Sequence, residues 1–195
     1  MCVENPYEKV TKPGSIGLPI PEFSARIVDH NGDDVRQGEV GELLIKGPAV
    51  MKGYLNRPEE TREAIKDGWL YTGDIARMDE DNYIYIVDRK KELVIRGGYN
   101  VYPREIEEVL YQIPEVLETA VFGVPHEDLG EEVAAILVLK EGAKIDTKTI
   151  QKYVKERVAP YKYPRIIKIV KEPLPKTGSG KILKKEIKKY YRSLE

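Results

Sequence analysis

Apolar residues in the first part of the chain occur in short alternating runs that glycine and proline separate. The run over 24–28 alternates apolar and polar residues, which is typical of a half-buried strand, and turn-forming residues follow over 29–33. A short helix is predicted over 57–65, because proline and acidic residues occupy its first turn. Further strands are predicted over 39–45, 83–87 and 93–95. The pattern predicts a small β-rich barrel or sheet.

The second part of the chain has a different rhythm, in which helical and strand patterns alternate. Pro103 begins a predicted helix that ends at Pro114, and its apolar residues share one helical face. These residues are Ile106, Val109, Leu110 and Ile113. Strands are predicted over 119–124, 133–139 and 166–170, and further helices over 148–158 and 182–194. The succession predicts a small α+β domain with a mixed or antiparallel sheet flanked by helices.

Charge is distributed unevenly along the chain, although 32 Lys+Arg and 33 Asp+Glu give a formal net charge of −1. Residues 1–88 contain 10 basic and 17 acidic side chains, a net of −7, whereas residues 89–195 contain 22 and 16, a net of +6. Such asymmetry indicates two units. A dense charge run over 88–92 separates two apolar strands, so we predict a hinge at 89–91 and a second domain over 92–195.

Composition excludes several classes of protein. Hydrophobic residues make up 41% and charged residues 33% of the 195 positions, which is typical of a globular protein. No stretch approaches the roughly 20 apolar residues that span a bilayer. One cysteine excludes an internal disulfide framework, and two histidines leave little for a metal site. We therefore expect no metal site and no transmembrane segment, and a cytoplasmic location in which a peripheral position at a membrane stays open.

A basic tract with tyrosines ends the sequence. Residues 160–195 contain 11 basic and 3 acidic side chains, a net of +8. The interleaved tyrosines are Tyr161, Tyr163, Tyr190 and Tyr191. Basic and aromatic residues together suit single-stranded nucleic acid, whereas helical spacing also fits a solvated lysine-rich face with tyrosines in the core or at its rim.

Three short segments carry candidate chemistry. The loop over 173–181 combines small residues with Lys181 just before the last predicted helix, as an anion site does, although an exposed helix entry explains it equally. Asp74 closes an aromatic segment and can accept two hydrogen bonds from a vicinal diol such as ribose, or it is a turn aspartate. Arg89 is either a forked donor to sugar or phosphate oxygens, or one member of a surface ion pair. Gly97 and Gly98 permit close approach of a ligand, or a strand-to-helix turn.

The loop over 173–181 is not a Walker A motif. Proline stands at position 175, where the first glycine of that motif belongs, and Ile182 occupies the position of the Ser or Thr that binds Mg²⁺. No arrangement of serine, cysteine and histidine in the sequence supports a nucleophilic triad.

Taken together and in order, these segments resemble the C-terminal part of the adenylate-forming superfamily, which includes acyl-CoA synthetases, peptide-synthetase adenylation domains and luciferases. The nearest resemblance is to fatty-acid and medium-chain acyl-CoA ligases, from about residue 12 to residue 188. The segments that carry the resemblance are 38–43, 53–54, 69–74, 88–89, 97–107 and 173–181. The resemblance implies that residues 1–88 are the β-rich, barrel-like end of a large N-terminal domain and that residues 92–195 are a small lid domain.

The resemblance also implies a role for each matching residue. Asp74 would hold the ribose hydroxyls of the nucleotide, with Arg89 assisting at the same sugar. Lys91 matches the hinge residue about which the lid domain rotates between two half-reactions. Lys181 matches the lysine that bridges carboxylate and α-phosphate while the acyl-adenylate forms, and Gly98 matches the glycine that lets pantetheine pass during thioester formation.

Two motifs of that family have no counterpart in the sequence: a Ser/Thr/Gly-rich phosphate loop, and an aromatic-Gly-x-Thr-Glu segment that helps to bind Mg²⁺. In the family both precede the part that the chain resembles. We therefore expect that the chain is truncated, that the missing N-terminal part of the same polypeptide holds the acyl pocket, and that the 195 residues alone are inactive.

The activity that the resemblance implies is that of an acid–thiol ligase. A carboxylic acid, in this subfamily a fatty acid, reacts with Mg·ATP to an acyl-adenylate, and CoA then takes the acyl group with release of AMP; pyrophosphate leaves in the first step. No cofactor is expected to bind tightly to these residues alone. Alternatives within the family are transfer to a carrier-protein pantetheine or oxidation as in luciferases. From other classes, a basic nucleic-acid-binding module and a non-catalytic interaction domain stay open, with nucleic acid not the expected partner.

Overall fold

A computed structural model describes residues 3–4 and 11–192, with Arg192 described in its backbone only. The described residues form two compact units, one up to Lys91 and the other from Glu92 onward. Both the single cysteine, Cys2, and the predicted end of the last helix at Leu194 lie outside the described residues.

The first unit is built on an antiparallel five-stranded sheet. Its elements are β1 (Val3–Glu4), β2 (Leu18–Pro19), β3 (Ser24–Val28), β4 (Val40–Lys46), α1 (Pro58–Ala64), β5 (Ile65–Lys66), β6 (Trp69–Met78) and β7 (Ile84–Arg89). The sheet order is β3-β4-β6-β5, β7 pairs with β6, and β1 and β2 form a separate pair. Ile27, Leu43, Ala76 and Ile84 form its buried core. This is the β-rich part that the alternating pattern predicts.

Two details of this unit differ from the sequence interpretation. The aromatic segment that ends at Asp74 is not a turn, because it belongs to the ten-residue strand β6. The charge run over 88–92 does not expose its whole backbone: Asp88 is buried, Arg89 ends β7, and Lys90–Glu92 form a single 3₁₀ turn. Strand pairing carries β6 through Gly73 and Asp74, which are poor strand formers, and it carries β7 as far as Arg89.

The second unit arranges three helices around a mixed sheet. Its elements are β8 (Val94–Arg96), β9 (Tyr99–Val101), α2 (Pro103–Tyr111), β10 (Val116–His126), β11 (Gly130–Leu139), α3 (Thr147–Lys155), β12 (Ile166–Val170) and α4 (Lys184–Arg192). Strand β11 is central: it pairs antiparallel with β10 and β8 and parallel with β12. The α+β class predicted from the sequence is therefore confirmed.

Strand β11 is buried on both faces, and each face carries its own core. Alternate residues of a strand point to opposite sides. Val133, Ala135 and Leu137 pack with Val94, Val101, Ile106, Leu110, Ile150 and Val154. Ala134, Ile136 and Val138 pack with Phe122, Leu174, Ile187 and Tyr191. The first cluster holds α2, α3 and the β8–β9 hairpin, and the second holds α4 and the segment before it.

The helix ends follow from local chemistry. Pro103 is buried at the start of α2, where its missing N–H costs nothing. Asp146 caps α3 by accepting a hydrogen bond of 2.8 Å from the Thr149 N–H. Helix α4 begins at Lys184, two residues after the predicted start. Among the described residues, no helix combines the length and the apolar character that crossing a membrane requires.

Candidate nucleotide site and lysine loop

Asp74 lies at the end of a bulge in β6. Strands β4 and β6 lose register at this point, and β6 has the extra residues. The Thr72 hydroxyl donates to the Leu43 carbonyl oxygen at 2.7 Å and accepts from the Asp74 N–H at 3.0 Å. Gly73 between them has φ of 71°, a conformation that favours glycine. Bulges of this kind redirect a side chain, and here the redirected carboxylate is Asp74.

Asp74 and Arg89 face each other across β6 and β7. They are register partners, and Arg89 Nε lies 2.7 Å from Asp74 Oδ1. A second register shift, next to Ile75, gives β7 one residue more than β6 at this end of the pair. The Arg89 guanidinium thus engages Asp74, and the Asp88 carboxylate accepts from the Arg89 backbone N–H at 2.7 Å. The structure brings together a carboxylate acceptor and a guanidinium donor, the pair of groups that sugar hydroxyls require.

Glu42 supports both sides of this pair, and the sequence analysis assigned it no role. Its side chain is 8% exposed, so its charge needs partners. Glu42 Oε1 accepts from the Gly73 N–H at 3.3 Å, and Glu42 Oε2 lies 2.7 Å from Lys90 Nζ. One buried carboxylate therefore holds the bulge before Asp74 and the residue after Arg89. A lone acidic residue within the apolar strand β4 is the sequence signal for it.

A cavity of about 670 Å³ opens beside the bulge. Its lining includes Glu42, Tyr71, Gly73 and Lys90. Neither Asp74 nor Arg89 lines it, so the cavity and the carboxylate–guanidinium pair are separate features of this unit.

Lys91 lies between two residues that are each tied to a carboxylate or an ammonium group. Lys90 pairs with Glu42 at 2.7 Å. On the other side of Lys91, Glu92 Oε2 lies 2.8 Å from Lys184 Nζ. Lys91 is exposed and forms no ion pair within the described part of the chain.

Lys184 is a largely buried ammonium that the sequence analysis counted only as part of a lysine-rich face. Its side chain is 16% exposed, and its Nζ also lies 2.9 Å from Glu107 Oε1. Burial acts to lower the pKa of Lys184, but attraction to Glu107 and hydrogen bonds to both carboxylates outweigh it, so the pKa is raised. Lys184 therefore joins the start of α4 to α2 and to the first residue of the second unit.

Gly98 lies in the two-residue turn of the β8–β9 hairpin, not in a strand-to-helix turn. Arg96 and Tyr99 are the last paired residues, and Gly97 and Gly98 have φ of 56° and 82°. Two positive φ values define the turn that best fits the twist of a hairpin. A Cβ at Gly98 would meet nothing within 4 Å, whereas one at Gly97 would lie 3.3 Å from Leu129. The position therefore opens outward.

A buried ion pair fixes the strand that leads to this turn. Arg96 Nε and Nη2 donate to the two carboxylate oxygens of Glu132 at 2.6 and 2.9 Å. Backbone contacts beside this pair are the register of Arg96 with Gly130 and a hydrogen bond of 2.9 Å from the Gly97 N–H to the Leu129 carbonyl oxygen. The bidentate side-chain contact adds to this attachment of the hairpin to the sheet.

Lys181 occupies a closed loop ahead of α4, and its side chain is exposed. Lys176 and Ile182 form an isolated β-bridge across the loop. Inside the loop, the Thr177 N–H donates to the Lys181 carbonyl at 2.8 Å, and the Thr177 hydroxyl accepts from the Lys181 N–H at 3.1 Å. The prediction that Lys181 immediately precedes the helix is wrong, because α4 begins at Lys184. A bridged turn, and not a helix N-terminus, presents the lysine.

The base of this loop is held by Glu118 of β10. Glu118 Oε2 accepts from the Leu174 N–H at 3.0 Å, and the other carboxylate oxygen pairs with Lys176. Leu174 is buried in the second core. The loop is thus attached firmly at its start and projects Lys181 outward.

Much of the basic tract is paired within the second unit. Its lysines form ion pairs with carboxylates as follows: Lys162 with Glu105, Lys176 with Glu118, Lys184 with Glu92 and Glu107, and Lys189 with Glu186. Tyr191 is buried, and Tyr161 stacks on Tyr99 with ring centroids 4.7 Å apart. The tyrosines thus pack against the protein, as their helical spacing indicates.

The described residues contain no cluster of three or more His, Cys, Asp or Glu side chains arranged to hold a metal ion.

The comparisons with known proteins identify the family. Residues 105–181 match the family described as AMP-binding enzyme C-terminal domain, and residues 1–55 match the AMP-binding enzyme family. The chain belongs to the AMP-binding, adenylate-forming enzymes. Lys181 is the last residue of the matched range 105–181. Four other candidate residues lie between the two ranges: Asp74, Arg89, Lys91 and Gly98.

Proteins similar to the chain include acyl-CoA ligases. A long-chain-fatty-acid–CoA ligase of Bacillus subtilis (strain 168) is 50% identical over 177 residues, which cover 90% of the chain and 31% of the relative. A feruloyl-CoA synthase of an Amycolatopsis species is 43% identical over 180 residues, which cover 92% of the chain and 36% of the relative. The chain therefore spans about a third of the length of these curated relatives.

A solved structure of the same family has the same fold. The crystal structure of ATP-bound MatB from Rhodopseudomonas palustris matches with a TM-score of 0.92 at 39% identity, over 100% of this chain and 39% of that one. The amide bond synthetase McbA from Marinactinospora thermotolerans matches with a TM-score of 0.83 at 35% identity, over 91% of this chain and 36% of that one. The resemblance to adenylate-forming enzymes stated from the sequence is thereby confirmed.

Proposed function

We propose that these residues work as the C-terminal part of an ATP-dependent acid–thiol ligase. The enzyme would activate a carboxylic acid as an acyl-adenylate, and the 50% identical relative supports a fatty acid as that substrate. Thioester formation with CoA would follow, so that Mg·ATP is converted to AMP and pyrophosphate over the two steps. Because the chain spans about a third of its relatives, we expect the acyl pocket, the phosphate loop and the magnesium ligands to come from further residues of a longer polypeptide.

The observation that carries the proposal is the pair formed by Asp74 and Arg89. In an adenylate-forming enzyme, a carboxylate beside a guanidinium can hold the ribose of the nucleotide through complementary acceptors and donors. The bulge at Gly73 and the 2.7 Å contact between Asp74 and Arg89 keep the two groups in that arrangement without a ligand. Such preorganisation lowers the cost of ordering the site when the nucleotide binds.

Lys181 supplies the cation for the first half-reaction in this proposal. Attack of a carboxylate on the α-phosphate builds negative charge on phosphate oxygens, which a positioned ammonium stabilises. Lys181 is suited to this role because its loop is anchored by Glu118 while its side chain is exposed.

Gly98 and Lys91 serve the second half-reaction. The outward-facing turn at Gly98, where a Cβ would meet nothing within 4 Å, would leave a passage for pantetheine. Lys91 would be the residue about which the lid domain turns between the two steps.

Replacement of Lys181 by alanine in the complete ligase tests the proposal. We expect adenylate formation, followed as fatty-acid-dependent exchange of pyrophosphate into ATP, to fall by about two to three orders of magnitude, the usual loss for one electrostatic stabiliser. Thioester formation from supplied acyl-adenylate should be retained. Lys171→Ala, which removes another exposed lysine of the same unit, is the matched control and should leave both steps intact.

Two results would contradict the proposal. Equal loss of both half-reactions would show that Lys181 acts elsewhere. Activation of the acid without CoA-dependent thioester formation would show that the acceptor is not CoA. Transfer to a carrier-protein pantetheine would then identify the chain as part of the alternative kind of enzyme in this family.

A further inference from the structure

The residues on either side of Lys91 are each held within their own unit by a charged partner. Lys90 reaches the buried carboxylate of Glu42, which also accepts the Gly73 N–H. Glu92 reaches Lys184, which Glu107 also holds. Lys91 alone, among the three residues of the 3₁₀ turn, forms no ion pair in the part of the chain that the structure describes.

The two fixed partners are anchored independently of the residues next to Lys91. Glu42 lies in β4, and its side chain is 8% exposed, so its position is set by the sheet. Lys184 is 16% exposed and also pairs with Glu107 of α2, so it has a second anchor besides Glu92. Each ion pair therefore links a residue of the turn to a rigid element of a single unit.

We propose that the Glu42–Lys90 and Lys184–Glu92 ion pairs are clamps that confine backbone rotation to Lys91. This inference rests on the proposed function for the role of the rotation, but the clamps themselves are a property of the chain. Because each clamp stops one neighbour of Lys91 from moving away from its unit, a change of backbone dihedral angles is limited to one residue. Glu42 and Lys184 are then positioning residues, which act through Lys90 and Glu92.

The clamps also link the hinge to the two chemical groups. Glu42 holds the bulge that precedes Asp74, and Lys184 lies three residues after Lys181 at the start of α4. A hinge that began earlier than Lys91 would displace Arg89 from its place beside Asp74, and one that extended past Glu92 would break the contact of Glu92 with Lys184 at the start of α4. Confinement to a single residue keeps both groups in place while the lid turns.

Amide hydrogen exchange in the 195-residue chain tests the clamps without any activity assay. The Glu42→Gln, Lys90→Met double variant removes the first ion pair, keeps an acceptor for the Gly73 N–H and leaves no buried charge unpaired. We expect exchange over 88–90 to accelerate by about threefold or more, as losing an ion pair of modest strength allows. Exchange over 92–95 should not change.

Glu92→Gln provides a second, milder variant, since Lys184 keeps Glu107 as a partner and the fold is preserved. Here the acceleration should fall on residues 92–93 and leave 88–90 unchanged. Two exposed ion pairs serve as matched controls: Glu59→Gln with Arg62→Met in α1, and Glu186→Gln, which frees Lys189 in α4. An exchange profile over 88–93 that is the same in both clamp variants as in the wild type would overturn the proposal.

The complete ligase supplies the functional readout. Each clamp variant should change the ratio of adenylate formation to thioester formation by about threefold or more, whereas a loss of stability alone would reduce both steps together. An unchanged ratio in both clamp variants would overturn the functional role of the clamps. If the wild-type ligase forms no acyl-adenylate, the proposed function fails, and the exchange result still decides whether the clamps exist.

Discussion

Gly98 and Lys181 owe their exposure to different backbone constraints. Gly98 is exposed because a tight hairpin turn requires a positive φ, which is 82° at this position. Lys181 lies in a loop that is closed by a β-bridge and by two hydrogen bonds between Lys181 and Thr177, one donated by the Thr177 N–H and one by the Lys181 N–H. The backbone conformation at Gly98 therefore limits substitution by itself, whatever the role of this residue in thioester formation.

Gly142→Ala is a control that separates the conformational cost of replacing Gly98 from an effect on thioester formation. Gly142 has φ of 76° and, like Gly98, nothing within 4 Å of an added Cβ. Alanine at either position should therefore lower the free energy of unfolding by a similar amount, about 1–2 kcal/mol. Only Gly98→Ala should slow thioester formation in the complete ligase, with adenylate formation preserved, as single-turnover kinetics would show. Equal thioester rates in the two variants would argue against a pantetheine passage at Gly98.

A buried side-chain ion pair helps to attach the β8–β9 hairpin to the sheet. Arg96 and Glu132 form a bidentate ion pair whose side chains are 15% and 8% exposed. Burial acts to raise the pKa of Glu132, but hydrogen bonds from Arg96 and from the Val133 N–H, together with attraction to Arg96 and Arg165, outweigh it and hold this pKa below the ordinary value of 4.5. Since the pKa is lower in the folded chain, the pair stabilises the fold above about pH 5 and loses this contribution as the pH falls through the folded pKa.

Glu132→Gln tests this linkage. The variant leaves Arg96 without its charged partner, so we expect the second unit to lose about 3 kcal/mol of unfolding free energy at neutral pH. The difference from the wild type should shrink as the pH falls below 4.5, where Glu132 begins to take up a proton. Urea unfolding followed by far-ultraviolet circular dichroism measures it. Trp69 lies in the other unit, so its fluorescence is an internal control; a difference independent of pH would contradict the assignment.

Local pattern predicted the elements better than it predicted the site. Strand β12 lies where the alternation places it, over Ile166–Val170, and α2 begins at Pro103 as expected. The strand through Asp74 was missed because Gly73 and Asp74 are poor strand formers. They belong to β6 because two contacts with β4 hold the bulge: the Thr72 hydroxyl of β6 donates to the Leu43 carbonyl oxygen, and Glu42 accepts from the Gly73 N–H.

The partners of the site residues could not be predicted in the same way. Arg89 pairs with Asp74, which lies fifteen residues away in the sequence. Lys184 pairs with Glu92 and Glu107. Such long-range partners follow from strand register and helix packing, which a local pattern does not contain. Residue types and order were enough for the family resemblance, but not for the contacts.

For the molecule as a whole, the net charge of −1 conceals two different units. Four lysines of the basic tract are neutralised by carboxylates of their own unit. Nucleic-acid binding draws on cations that are available to phosphates and shows a steep dependence on salt. The internal pairing leaves fewer such cations than the sequence count of 11 basic residues over 160–195 indicates.

The 195-residue chain by itself should therefore neither turn over nor bind single strands strongly. Mixed with ATP, fatty acid and CoA, it should form no acyl-CoA, because about two thirds of the length of its relatives has no counterpart in it. Titration of labelled single-stranded DNA at low salt should detect no tight complex. Robust thioester formation would refute the need for further residues, and tight binding that weakens steeply with salt would favour the nucleic-acid alternative.

The two cores on either side of β11 fix the segments that carry Gly98 and Lys181. The strands that lead into and out of the Gly98 turn are buried in one core through Val94 and Val101, and Leu174 and Ile182 fasten the Lys181 loop to the other. The Gly98 turn and the Lys181 loop are therefore fastened to cores on opposite faces of β11. The sheet itself would keep the first chemical step apart from the second.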